Sequence, residues 1–212
     1  MTGAQASSLA INASRYLAAI GTVALQSVEL ASFARPTILN PITRTLNLRI
    51  DNPHDNDNRA PLSGKNFSFA IVASHWNDSL VTPLVAGALQ ALKEADVDDD
   101  SIEIYRVPGA FEISLCALKA AESGKFHAVI CLGVIIRGET PHFDFIAAAT
   151  AHGITDAGLK TGVPLLFGVI TADNIDQATA RAGAKQDNKG YEAAVAAIEV
   201  VNLYKKSFAD GV

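Results

Sequence analysis

Several things are scarce in this sequence. Among 212 residues there are two cysteines, Cys116 and Cys131. Neither has a C-x-x-C partner or a histidine at ligand spacing. They read as two buried, reduced thiols of an intracellular protein, which excludes a disulfide framework. His75, His127 and His152 also lack ligand-spaced partners, so no metal site is expected. Charged residues make up 18 % of the chain, the net charge is −5, and no basic run occurs. That balance argues against a nucleic-acid binder and leaves room for large contacts between subunits. No apolar run reaches the ~20 uninterrupted residues of a membrane span. There is no internal repeat, and Trp76 is the single tryptophan.

What is present is apolar: 49 % of the residues are hydrophobic. At this length the chain can build one sizeable core and a modest extra segment, not two full domains. The first fifty residues hold Arg15, Arg35, Arg44 and Arg49, one acid (Glu29) and no lysine. That bias is the pattern of a transit peptide. Two rival readings stay open: a secretory signal with 16–28 as its apolar region, and an upstream start codon. The stretch "DNPHDNDNRAPLSGKN" (51–66) is polar and turn-forming, and reads as a linker. Residues 1–60 are therefore expected to be an extension and linker, and 61–212 the folded domain. The location expected is soluble and intracellular, either cytoplasmic or, with a transit peptide, in a plastid or other organelle.

From Phe67 onward apolar strand-like runs alternate with helical spacing. Strands are expected at 67–73, 101–107, 127–136 and 163–171. Helices are expected at 78–95, 111–124, about 141–160, 174–183 and 189–206. Asp78 is read as a cap for the first helix, with Pro83 as a rival start. Thr140 and Asp173 are read as caps further on. The alternation predicts βαβ units, a parallel four-stranded sheet and helices on both faces. In such sheets ligands bind beyond the carboxyl ends of the strands.

The loops at those ends are "SHWNDS" (74–79), "VPGAFE" (107–112), "RGETPH" (137–142) and "TADN" (171–174). In the third, free N–H groups near Gly138 to Thr140, backed by a helix dipole, suit an anion, with Arg137 nearby. Glu139 would repel an anion unless its side chain points away. His142 can take and return protons near neutral pH; a hydrogen-bonded structural histidine is the alternative. Trp76 can stack on a flat ring and Asn77 can read its polar groups. Pro108-Gly109 brings backbone close to a ligand, and Glu112 stands at a helix start. Arg181, Lys185 and Lys189 gather in "RAGAKQDNKGYE" (181–192), where Arg suits phosphate and Lys a carbonyl or a point charge.

The motifs W-N, V-P-G-A-F-E, G-V-I-I-R-G-E-T-P-H-F-D, F-G-V-I-T-A-D and R-A-G-x-K-x-x-N-K-G occur in this order across about residues 65–206. This set resembles the 6,7-dimethyl-8-ribityllumazine synthase family. The resemblance implies a flavodoxin-like three-layer α/β/α sandwich and condensation of 5-amino-6-(D-ribitylamino)uracil with 3,4-dihydroxy-2-butanone 4-phosphate, with no cofactor. It implies His142 as proton shuttle and Trp76 as the ring-stacking residue. Asn77, Ala110, Phe111 and Glu112 would hold the ribityl chain, while Val134, Ile135 and Ile136 line the pyrimidine. Gly138, Glu139 and Thr140 would bind the phosphate with Arg181 of an adjacent subunit. Phe167 and Lys189 would also reach the site from a neighbouring chain. Self-association into pentamers, and from these a sixty-subunit shell, is implied as well. Ser114, where the family often has Pro, and Glu139, at a variable position, depart from the pattern. The alternative within the same fold is a non-catalytic shell protein that binds riboflavin or lumazine.

Overall fold

The run Ala128–Ile136 (β3) is nine residues without a charge, and a strand of that kind must be covered on both faces. The computed structural model, which describes residues 62–208, places it at the centre of a four-stranded sheet of order β2-β1-β3-β4. The other strands are β1 (Phe69–Ser74), β2 (Ile102–Val107) and β4 (Leu165–Ala172). All pairings are parallel. The proposed extension, 1–60, lies outside the described residues.

Among the described residues five α-helices cover the sheet: α1 (Asp78–Glu94), α2 (Ala110–Glu122), α3 (His142–Thr161), α4 (Ile175–Arg181) and α5 (Lys189–Phe208). Side chains of a strand alternate between faces, and this divides the core in two. Phe69, Ile71, Ile130 and Leu132 pack with Leu84 and Leu92 of α1 and Ala194 and Ile198 of α5. Ala70, Val72, Val129 and Cys131 pack with Ile113 and Ala117 of α2 and Ile154 of α3. Each fully buried Ile or Leu stabilises the fold by about 1.5–3 kcal/mol. The result is the three-layer α/β/α sandwich of the flavodoxin-like type. Cys131 is buried as expected, but Cys116, on α2, is only partly so and packs against the edge of the second core layer; burial pushes both thiols above their usual range.

The order of the strands matters more to function than their number. From β1 the chain crosses by α1 to β2 at one edge. It then returns by α2, on the opposite face, to β3 on the other side of β1. The winding reverses between β1 and β3, and a crevice opens there at the carboxyl ends.

Three expected caps differ in the structure, two of them because an arginine of another element claims the carboxylate. Asp78 does not cap α1 but is its first residue, where it pairs with Arg106 of β2. The N-cap is Asn77, in the left-handed region at φ 61°, which Asn tolerates better than most residues. Pro83 lies inside α1 rather than at its start. Thr140 makes no cap: α3 begins at His142 behind Pro141, with no side-chain cap. At α4, Asn174 caps by accepting from the Gln177 N–H at 2.9 Å, while Asp173 is drawn away by Arg137. Just past α2, Gly124 takes the left-handed conformation, φ 69°, that commonly ends a helix.

Candidate active site

β1 and β2 hold their alignment past their ends: the His75 N–H donates to the Val107 carbonyl at 2.7 Å and the Trp76 N–H to that of Pro108 at 3.0 Å. This sets the indole beside Pro108-Gly109, with the residue 74 % exposed. Asn77 bridges the crevice, its Nδ2 donating to the Val134 carbonyl of β3 at 2.9 Å. Its second N–H and its Oδ1 have no partner among the described residues.

The outcome is one cavity of about 590 Å³ at the switch between β1 and β3. Trp76 and Asn77 line it from the first loop, and Ala110, Phe111 and Glu112 from the start of α2. Val134, Ile135 and Ile136 form its floor, and Gly138, Thr140 and His142 its far side. Glu139 is exposed and does not line it. The N–H groups of Gly138, Glu139 and Thr140 donate to no acceptor among the described residues. The loop is therefore rich in unspent donors beside a helix N-terminus.

Two expected groups are occupied within the chain. The Glu112 carboxylate accepts from the Gly109 N–H at 2.9 Å, closing the first turn of α2. Arg137 is spent on Asp144, with contacts of 2.9 and 3.1 Å, and on Asp173 at 3.0 Å, and its guanidinium lies 4.1 Å from the Phe143 ring centre. Those carboxylates raise the Arg137 pKa, and Arg137 in turn lowers that of Asp144. Arg137 braces the loop and is not a free anion ligand.

Phe167, Arg181 and Lys189 do not join the others. They line a second cavity of about 630 Å³ against β4, between α4 and α5. Arg181 has no ion pair among the described residues, and Lys189 Nζ lies 2.6 Å from Glu192 Oε2. A single chain thus carries one cavity with the imidazole and the indole and another with the cations. Among the described residues no group of three or more His, Cys, Asp and Glu side chains is placed to hold a metal ion. No described helix is long and apolar enough to cross a membrane.

The model of the 6,7-dimethyl-8-ribityllumazine synthase family matches residues 66–205. The chain belongs to that family. Curated relatives of that name agree along nearly their whole length. The one from Chloroherpeton thalassium is 54 % identical over 145 residues, which are 68 % of this chain and 94 % of the relative. Those from Chlorobium luteolum and Syntrophus aciditrophicus are 52 % and 50 % identical, over 68 % of this chain and 93 % and 94 % of their own lengths. Both cavities lie inside the family match. Ser114, one of the two departures noted in the sequence, donates from Oγ to the Thr150 carbonyl at 3.3 Å and so joins α2 to α3.

Sequence reasoning missed some residues of this family member's cavities. Phe143 and Ile146 line the first, and Gln177 the second. The signal was helical spacing: Ile146 stands four residues past His142, and Gln177 four before Arg181, on shared faces.

Proposed function

We propose that the chain condenses 5-amino-6-(D-ribitylamino)uracil with 3,4-dihydroxy-2-butanone 4-phosphate to give 6,7-dimethyl-8-ribityllumazine, the penultimate step of riboflavin biosynthesis. The observation that carries this reading is the meeting of an exposed indole, an imidazole and two residues with unspent backbone N–H groups, Gly138 and Thr140, in one cavity at the strand ends. Trp76 stacks on the pyrimidine, Val134 to Ile136 line it, and Asn77 with Ala110–Glu112 holds the ribityl chain. The backbone of Gly138–Thr140 receives the phosphate.

His142 moves the protons. The 5-amino group attacks the ketone, and loss of water leaves a Schiff base. Proton removal from the hydroxyl-bearing carbon then expels phosphate and leaves an enol, which takes a proton to become a new carbonyl; attack of the ribitylamino nitrogen on that carbonyl closes the ring with loss of a second water. Each step needs a proton taken or returned, which one imidazole can supply. Holding both reactants in one pocket lowers the barrier further.

The cations come from a second copy. The cavity with His142 lacks Arg181 and Lys189, and the cavity beside β4 lacks the imidazole. In this reading two copies meet so that Arg181 closes over the phosphate and Phe167 and Lys189 complete the pyrimidine site. Exposed Phe145 and Leu159 on α3 support self-association. Pentamers are the assembly proposed, with the sixty-subunit shell built from them. Residues 1–60 are proposed as an extension apart from the catalytic domain.

The test is a rate measurement. The full-length protein is mixed with both substrates, and the lumazine product is followed by absorbance and fluorescence against a blank without protein. A rate that rises in proportion to protein concentration supports the synthase. A rate equal to the blank, from assembled protein, rejects it in favour of a ligand-binding shell protein.

A further inference from the structure

Arg181 ends α4 and Lys189 begins α5, and both reach the cavity beside β4. The seven residues between them could span about 25 Å if extended, so the chain alone does not fix where the two cations stand. A buried side chain does. Asn188 is 4 % exposed and lines neither cavity.

Both ends of its carboxamide are used. Oδ1 accepts from the N–H groups of Gly190 at 2.9 Å and Tyr191 at 3.1 Å, in the first turn of α5. Nδ2 donates to the Gly183 carbonyl at 3.1 Å, two residues past Arg181, and to the Pro83 carbonyl of α1 at 3.0 Å. The Ala182 carbonyl, at 3.5 Å, is at the limit of a hydrogen bond. An amide nitrogen has two N–H donors, and the two shorter contacts take them. One side chain therefore ties the end of α4 to the start of α5, and both to α1.

A second tie closes the exposed side of the same loop. Lys185 Nζ contacts both Glu94 oxygens, at 2.9 and 2.7 Å, and the Tyr191 hydroxyl donates to Glu94 at 2.7 Å. Here too the partners are the loop, α5 and α1.

We infer that Asn188 is a positioning residue for the phosphate-bearing substrate: it holds Arg181 and Lys189 at a fixed separation, with the Lys185–Glu94–Tyr191 tie as its outer support. This rests on the assignment of Arg181 to the phosphate. Asn188→Asp isolates the effect, because Oδ1 still caps α5 while the second oxygen faces two carbonyls and cannot donate.

The experiment is steady-state kinetics with each substrate varied in turn, on full-length wild type, Asn188→Asp and Arg181→Ala. For Asn188→Asp the tie to Gly183 on the Arg181 side is lost and KM for the butanone phosphate rises about tenfold, the scale expected of a small displacement of binding groups, while the retained cap of α5 keeps Lys189 in place and KM for the uracil substrate stays near wild type. A purely structural role lowers the melting temperature and the active fraction but leaves both KM values unchanged, and that result overturns the inference. If Arg181→Ala also leaves the phosphate KM unchanged, the site assignment itself fails. If Arg181→Ala raises it and Asn188→Asp does not, only the positioning role fails. Should Asn188→Asp not fold, the exposed variant Lys185→Met decides: a rise of about two- to threefold in the same KM supports the inference, and no change overturns it.

Discussion

At the scale of single residues the chemistry turns on His142. It opens α3, is exposed, and lines the cavity beside Gly138 and Thr140. His142→Ala removes the proton carrier and nothing from the core. Turnover is expected to fall about a hundredfold or more, with the elution volume on size exclusion unchanged. A variant that keeps full activity would remove the shuttle assignment. Glu94 gives a prediction of a different kind. The hydrogen bond from Lys185, followed by that from Tyr191, holds its carboxyl down at about 2. A folded-state pKa below the unfolded one stabilises the fold fully above the unfolded value, about 4.3, and that contribution is lost as pH falls towards 2. Glu94→Gln should therefore lower the melting temperature near neutrality, by an amount that shrinks between pH 4 and 2. Thermal melts across that range check it, and a gap that is constant with pH would contradict the tie.

At the scale of elements, α1 and α5 approach closely through two glycines. A Cβ on residue 190 would collide with the Leu84 carbonyl, and one on residue 87 with the Asn188 side chain. Gly190→Ala must push α5 away from α1, at a cost of about 1–3 kcal/mol. Urea unfolding should show a lower midpoint at unchanged slope. The elements themselves were legible from apolar periodicity because β3 is covered on both faces and the helices bury one face each. Their first residues were less so. Asp78 and Asp173 are sound caps by type, but Arg106 and Arg137 claim their carboxylates, and neither partner is near in sequence. Asn188 stood inside a quoted motif with no role assigned to it. Its partner, the Pro83 carbonyl, lies on another helix, and only the fold brings them together.

At the scale of the whole molecule, the strand-end loops could be read as one site because the parallel topology obliges them to meet. The separation of Phe167, Arg181 and Lys189 from His142 could not, since it depends on α4 and α5 packing against β4 on the side away from the β1–β3 crevice. It yields a test by mixing. His142→Ala and Arg181→Ala damage different cavities, so assemblies made by co-expressing both variants should contain some intact composite sites. Activity above that of either variant alone is expected, and activity no higher than theirs would place the site within one chain. Removing residues 1–60, which lie outside the family match, should leave the turnover number of the remaining domain within about twofold, the spread expected when no catalytic contact is lost. One feature of the first cavity also makes it observable. Trp76 is the sole indole of the chain and stands open at the cavity mouth. The protein's tryptophan emission therefore arises at a single address, and a flat heterocycle stacking there should quench it, so occupancy can be titrated without any attached dye.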